Sequence, residues 1–452
     1  MAQQRGRILF AIVALIALLL PPLPAWAQQA PQLSYIRDAE IEYDIRTMVT
    51  PLMRAASLDP DAVNFVLIQD NNVNAFVAGG MNLFIYTGLL QYTDNPSQLV
   101  GVIAHELGHI AGGHLVRGTE AMRNASTGAI LGMIAGLAAG ILSKNAQAGM
   151  GALGGAQELA ARNFFSFSRA QEGTADAAGM HFLDDAGFSS RGMLEFMRKL
   201  KGQEYMPNDR QEEFVRTHPL TQDRVNAIAE HVEHSPLTSK KLPAEYDDMH
   251  ARIKAKLLGF LQPENALLRF TDRDPRLTAR YARAIALYRT NRLDKALALT
   301  DTLIREEPDN PFFHELRGQM LYENSRIPES IAAYRRSVTL LPASALLQAA
   351  FGNALLQSNA AADLDESVTH LQESVRIEPH TPSTWRSLAT AWGRKAEIGG
   401  DKIYRGMATY ALAEEALAHD APDEAQKTGG TSIQIAAAEL ALLGAGAGYP
   451  LG

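Results

Sequence analysis

The chain contains no cysteine among its 452 residues, and that absence removes several kinds of chemistry at once. Disulfide frameworks, thiolate metal sites, cysteine nucleophiles and a lipidated cysteine behind a leader are all excluded. A basic surplus is missing too: 42 lysines and arginines against 50 acidic residues leave a formal charge of −8, which argues against nucleic acid as the partner. Long uncharged apolar runs are few. Residues 8–20 are short for a span of about 20 residues. Standing behind Arg5 and Arg7 and ahead of Ala25-Trp26-Ala27, they read as the core of an export signal cleaved after residue 27. Its loss would take the charge to −10. A second run, 126–143, lies in a stretch from 119 to 157 rich in Gly, Ala, Met, Leu and Ile. Its small residues carry little transfer energy, so 126–157 reads as a hairpin or flap making peripheral membrane contact, with a true span and a buried hairpin as the alternatives.

What is present points elsewhere. At 46% hydrophobic residues the chain can build packed cores, and its length implies two or three domains. The informative stretch is His105-Glu106-Leu107-Gly108-His109. A helix turns every 3.6 residues, so His105 and His109 share one face and can hold one metal ion, while Glu106 lies about 100° round, placed to take a proton from water. Asn95, Pro96 and Gln98 supply an N-cap, an N1 proline and a capping-box glutamine. Leu99, Val100, Ile103, Leu107 and Ile110 then follow at helical spacing.

Upstream, the pattern predicts a helix over 36–58 with Ile41, Ile45, Met48 and Leu52 inward, a strand over 63–68, and two short strands around Gly79-Gly80. An edge strand there could pair with an extended peptide, or the hairpin could merely cover the metal helix. Three protein ligands are usual for a catalytic zinc. His114 reads as a helix-end or supporting residue. Glu172 is the better third ligand: with Asp176 four residues on, one carboxylate can bind metal while the other accepts the free N–H of a ligating histidine. Gly173, Ala175, Ala177, Ala178 and Gly179 would let the two helices approach closely.

Together Asn74-Ala75-Phe76 before Gly79-Gly80, Tyr86-Thr87-Gly88, the HELGH run, Glu172 to Asp176 as E-x-x-A-D, and His218-Pro219 with Arg224 resemble the zinc metallopeptidases of the HtpX and CAAX-prenyl-endopeptidase group. The resemblance spans roughly 36–230. It implies one zinc ion per chain on His105, His109 and Glu172, with His218 as a removable fourth ligand that keeps the enzyme latent. Glu106 is then general base and proton donor, Asp176 a support for a ligand, and Arg224 a stabiliser of an oxyanion or a neighbouring carboxylate.

Farther along, Pro308 and Pro342, and Gly318 and Gly352, each stand 34 residues apart, the tetratricopeptide period. The run from Pro328 to Pro342 echoes that from Asp365 to Pro379, and about four helix pairs are expected. The later copy's extra residues fall at Ala360-Ala361-Ala362, read as loop. Ala244 to Leu261 reads as a helix bridging the domains. The expected fold is mainly α with a small β-sheet: a signal at 1–27, an HExxH metallopeptidase domain at 28–262, a tetratricopeptide α-solenoid at 263–443 and a loose tail at 444–452. Such a combination resembles periplasmic quality-control proteases of Gram-negative bacteria. That implies unfolded or misassembled outer-membrane proteins as substrates, with the array contacting the β-barrel assembly machinery. A periplasmic chaperone or adaptor with a latent or structural zinc site, and an integral membrane peptidase, are the rival expectations.

Overall fold

A computed structural model describes residues 34–78, 81–114, 169–207, 210–358 and 360–418. The export signal read at 1–27, the apolar stretch at 119–157 and the tail at 444–452 lie outside the described residues. Helix α1 (Ala39–Ala55) is shorter than its periodicity suggests, because the Asp38 carboxylate accepts the amides of Glu40 and Ile41 and so fixes its start. The expected inward residues Ile41, Ile45, Met48 and Leu52 are buried.

Strands β1 (Asn64–Ile68), β2 (Ala75–Ala78) and β3 (Asn82–Tyr86) follow. β3 lies between the other two, parallel to β1 and antiparallel to β2, with Phe65 opposite Leu83 and Ala75 opposite Ile85. Among the described residues β2 therefore forms one edge of the sheet. A short helix, α2 (Thr87–Tyr92), leads into α3 (Pro96–Ala111), which carries the HExxH run. Its cap is the expected one: Asn95 accepts the amide of Gln98, while the Gln98 side chain reaches back to the amide of Asp94, one residue beyond the cap itself.

Helix α4 (Arg169–Asp185) packs directly on α3. A Cβ on Gly108 would stand 2.5 Å from the Ala175 carbonyl oxygen, and one on Gly179 would stand 3.0 Å from the backbone of Ala104. Thus Ala175 and Gly179 make the close approach, whereas Gly173 faces open space. Helices α5 (Arg191–Lys199), α6 (Glu213–Thr217), α7 (Gln222–His234) and α8 (Glu245–Leu261) complete the lobe. One core joins α1, the sheet and α3 to side chains from α4 through α8.

Beyond Pro263–Arg269 the chain folds as four helix pairs: Leu277–Arg289 with Leu293–Glu306, Pro311–Glu323 with Ile327–Leu340, Ala345–Leu356 with Ala361–Ile377, and Pro382–Gly399 with Lys402–Ala418. The repeated glycines have a packing reason. A side chain on Gly318 or Gly352 would strike Tyr334 or Leu371 on the second helix of its pair. Ser337 and Ser374 likewise donate to the Pro311 and Ala345 carbonyls at 2.8 Å. Two of the three alanines read as loop instead open helix Ala361–Ile377, which runs to 17 residues against 14 for Ile327–Leu340. Alanine's helix preference explains the longer helix.

The bridging helix α8 packs on both α1 and Leu277–Arg289. Its buried Lys256 places Nζ 2.9 Å from Asp38 and 3.3 Å from Glu40, with Glu315 of the array at 3.6 Å. Tyr281 donates to Glu40 at 2.6 Å. No helix among the described residues is long and apolar enough to cross a membrane.

Candidate metal centre

Helix α3 presents His105 and His109 on one face, as the four-residue spacing requires, and their Nε2 atoms stand 3.1 Å apart. Helix α4, drawn close by the small residues described above, carries Glu172 to the same point: its Oε1 lies 3.4 Å from His109 Nε2. The fourth side chain comes from farther along the chain. α6 runs beside residues 73–75, where the Phe214 amide donates to the Val73 carbonyl at 2.9 Å. The His218 amide then closes the last turn of α6 while its ring enters the site. His218 Nδ1 lies 3.4 Å from His105 Nε2 and 3.3 Å from Glu172 Oε1, and Nε2 lies 3.2 Å from the Ala75 carbonyl, to which it donates. All four side chains are fully buried.

These separations test whether a metal fits. Four donors at about 2.0–2.1 Å in a tetrahedron stand about 3.3–3.4 Å apart, and four of the six donor pairs here are separated by 3.1 to 3.4 Å. The donor atoms of His105, His109, Glu172 and His218 all lie within 4.8 Å of one another. Beside them Glu106 is buried with neither carboxylate oxygen accepting a hydrogen bond, which is costly unless something polar is meant to meet it. The residues present fit a divalent cation.

Around this group a second set of contacts sets proton positions. Asp176 Oδ1 accepts from His105 Nδ1 at 2.8 Å, leaving Nε2 as the metal-facing nitrogen. Arg224, in the first turn of α7, donates to Asp176 through Nε at 2.6 Å and Nη2 at 2.8 Å. Its Nη1 stands 2.8 Å from Glu172 Oε2, out of line for a hydrogen bond and therefore acting through charge. The same Nη1 also donates to the Pro219 carbonyl at 2.9 Å. Phe214 packs against the His218 ring with centroids 4.6 Å apart; no periodicity or motif marks it, and its place follows from the path of α6.

The charges follow from burial and pairing. Burial pushes Glu106 up, against the opposing pull of His218 and His105. Burial also drives His109 down to about 3, keeping that imidazole neutral with a lone pair to offer. For His105 burial works the same way but is outweighed by hydrogen bonds to Asp176 and Glu172, which raise it to about 10. Glu172 is held far below the usual carboxylate range, burial notwithstanding, by His218 and the two motif histidines.

Fold and site together define a metalloprotease whose peptidase domain is joined to a tetratricopeptide array. Residues 39–232 match Peptidase family M48, whose members use a metal, and residues 250–311 and 281–345 match the tetratricopeptide repeat. Among named relatives, the chain is 27% identical over 365 residues to the beta-barrel assembly-enhancing protease of Yersinia pestis, covering 79% of this chain and 73% of that one. To the protein of the same name in Escherichia coli (strain K12) it is 26% identical over 333 residues, 71% and 66% of the two chains. To metalloprotease LoiP of Escherichia coli (strain K12) it is 28% identical over 194 residues, 43% of this chain and 72% of that one.

Proposed function

We propose that this chain is a zinc-dependent metalloendopeptidase of the Gram-negative periplasm that cleaves misassembled outer-membrane proteins. The observation that carries the catalytic part is the buried set of donors on His105, His109, Glu172 and His218, all within 4.8 Å of one another, beside the Glu106 carboxylate, which accepts no hydrogen bond. Two nitrogens and an oxygen from His105, His109 and Glu172 suit zinc. When bound, the metal supplies Lewis acidity toward the scissile carbonyl and a nucleophilic water at neutral pH. Glu106, held inside with a raised carboxyl pKa, takes a proton from the attacking water and delivers it to the leaving amine nitrogen. Asp176 keeps His105 in the tautomer whose Nε2 is free, and Arg224 keeps both carboxylates charged.

His218 gives the enzyme a resting state. With its Nδ1 in the fourth position, nothing is left for water or a substrate carbonyl, so His218 acts as a removable latch. The latch leans on the Ala75 carbonyl at the edge of β2, an acceptor that an extended peptide pairing with that edge would compete for. The physiological part of the reading rests on the names of the relatives and on the leader-like N-terminus. In it the array, taken as residues 263–443, presents substrates or contacts the β-barrel assembly machinery, and the peptidase occupies 28–262.

The test is proteolysis of casein by the purified zinc-loaded chain against a Glu106→Gln variant. General acid–base catalysis is worth about 10²–10⁴-fold, so the variant should lose at least that factor while keeping its metal. Equal cleavage by both would defeat the enzyme reading and favour a chaperone or adaptor with a structural metal.

A further inference from the structure

One buried side chain beside the site has no part in the mechanism above. His114 lies just past α3, almost fully buried, with Nδ1 2.9 Å from His109 Nδ1 and Nε2 3.2 Å from Thr174 Oγ1. Away from the metal position, two neutral ring nitrogens in contact divide into one donor and one acceptor, and the surroundings decide which is which. Thr174 Oγ1 stands 2.9 Å from the Gln171 carbonyl oxygen. A carbonyl only accepts, so the single hydroxyl hydrogen is spent there and the Thr174 oxygen is left as an acceptor. A neutral His114 then carries its proton on Nε2 and accepts at Nδ1. His109 in turn must donate from Nδ1, which leaves its own Nε2 unprotonated and facing His105, Glu172 and His218.

The backbone is shaped to allow this. Gly113 takes φ +61°, a left-handed conformation that turns the chain back toward the end of α3. A Cβ on Gly112 would stand 2.6 Å from His114 Nε2 and 2.9 Å from Cε1, so only glycine leaves room for the ring there. His105 is served by a carboxylate, Asp176; His109 is served by a neutral imidazole. The relay also begins at Gln171, next to Glu172, so it ties the orientation of one candidate ligand to the helix that bears another.

We propose that His114 is a positioning residue: relayed from the Gln171 carbonyl through Thr174, it fixes the tautomer and ring orientation of His109 so that Nε2 is offered to the metal. The proposal rests on the zinc reading given above. Removal of such a supporting hydrogen bond costs about 10- to 100-fold in metal affinity.

The experiment measures zinc affinity of the full chain by chelator competition and, with cobalt in place of zinc, the visible absorption bands. His114→Phe keeps a ring of similar shape but removes the acceptor; it should bind zinc about 10- to 100-fold more weakly and shift the cobalt bands. His114→Asn keeps an acceptor at the Nδ1 position and should recover most of that loss. Gly112→Ala leaves His114 intact but displaces its ring; it should weaken zinc binding and shift the cobalt bands as His114→Phe does, and it carries the test if His114→Phe does not fold. Wild-type affinity and spectrum in His114→Phe and Gly112→Ala would overturn the proposal while leaving the metallopeptidase reading intact. A wild-type chain that takes up no zinc sinks that reading, and this one with it.

Discussion

His105 and His218 are 113 positions apart in sequence, yet Nε2 of the first lies 3.4 Å from Nδ1 of the second. On the proposed reading, that contact puts a fourth donor where a working hydrolase needs an opening. It also divides the candidate site into parts that should respond differently to substitution.

His218→Ala should remove the latch and leave three ligands. Casein cleavage should rise, and a resting population roughly 90% latched would give about a tenfold increase. Glu172→Ala, by contrast, should abolish both metal uptake and cleavage. An unchanged rate in His218→Ala, measured with metal content confirmed, would remove the latch from the mechanism.

Arg224 is the cation shared by two buried carboxylates, Asp176 and Glu172. Arg224→Met would leave both without it, and breaking a buried pair from one side costs about 3–5 kcal/mol. Chemical denaturation of the metal-free variant should report a loss of that order. Arg224→Lys should rescue little, because one ammonium cannot reproduce the two-pronged contact with Asp176.

Gly108 and Gly173 make a matched pair of tests for the approach of α3 and α4. Gly108→Ala drives a Cβ against the Ala175 carbonyl, a backbone atom that cannot swing aside. Overpacking of this kind costs about 1–3 kcal/mol, and it should also push Glu172 off the histidines and weaken metal binding. Gly173→Ala points into open space and should stabilise by up to about 1 kcal/mol. Thermal melts with metal analysis distinguish the two.

Asp44 in α1 predicts a pH dependence. Neither of its buried oxygens accepts a hydrogen bond. Burial and the charge of Glu40 raise its carboxyl to about 8, with Arg252 and Lys256 opposing. The folded chain therefore holds a proton at neutral pH that the unfolded chain has released. Stability from this group is fully present below the ordinary value of 3.8 and is lost as pH rises through about 8. Asp44→Asn carries no such proton, so its stability relative to wild type should climb between pH 5 and pH 9 by more than about 1 kcal/mol. A parallel pair of curves would refute it.

Much of this protein is set by local sequence. Asn95, Pro96 and Gln98 fix where α3 begins, and the four-residue spacing of His105 and His109 places both rings on one face without help from the rest of the chain. Glu172 and Asp176 share a face for the same reason, and the 34-residue recurrence of Gly318 and Gly352 announces the array because each glycine faces a side chain of its partner helix. These are features of period and capping, which a short stretch of backbone enforces alone.

Only the tertiary structure decided the rest. Whether His218 caps α6 or enters the site depended on α6 running beside residues 73–75, and it does both. The packing of α7 on α4 brings Arg224 to Asp176 and Glu172. The seat of His114 over Gly112, and the burial of Glu40 and Lys256 where α8 meets both halves, have no sequence period at all. Periodicity reports which face of an element is inward, whereas a contact between residues far apart in the chain is fixed by how whole elements dock, and that is settled by the shared core.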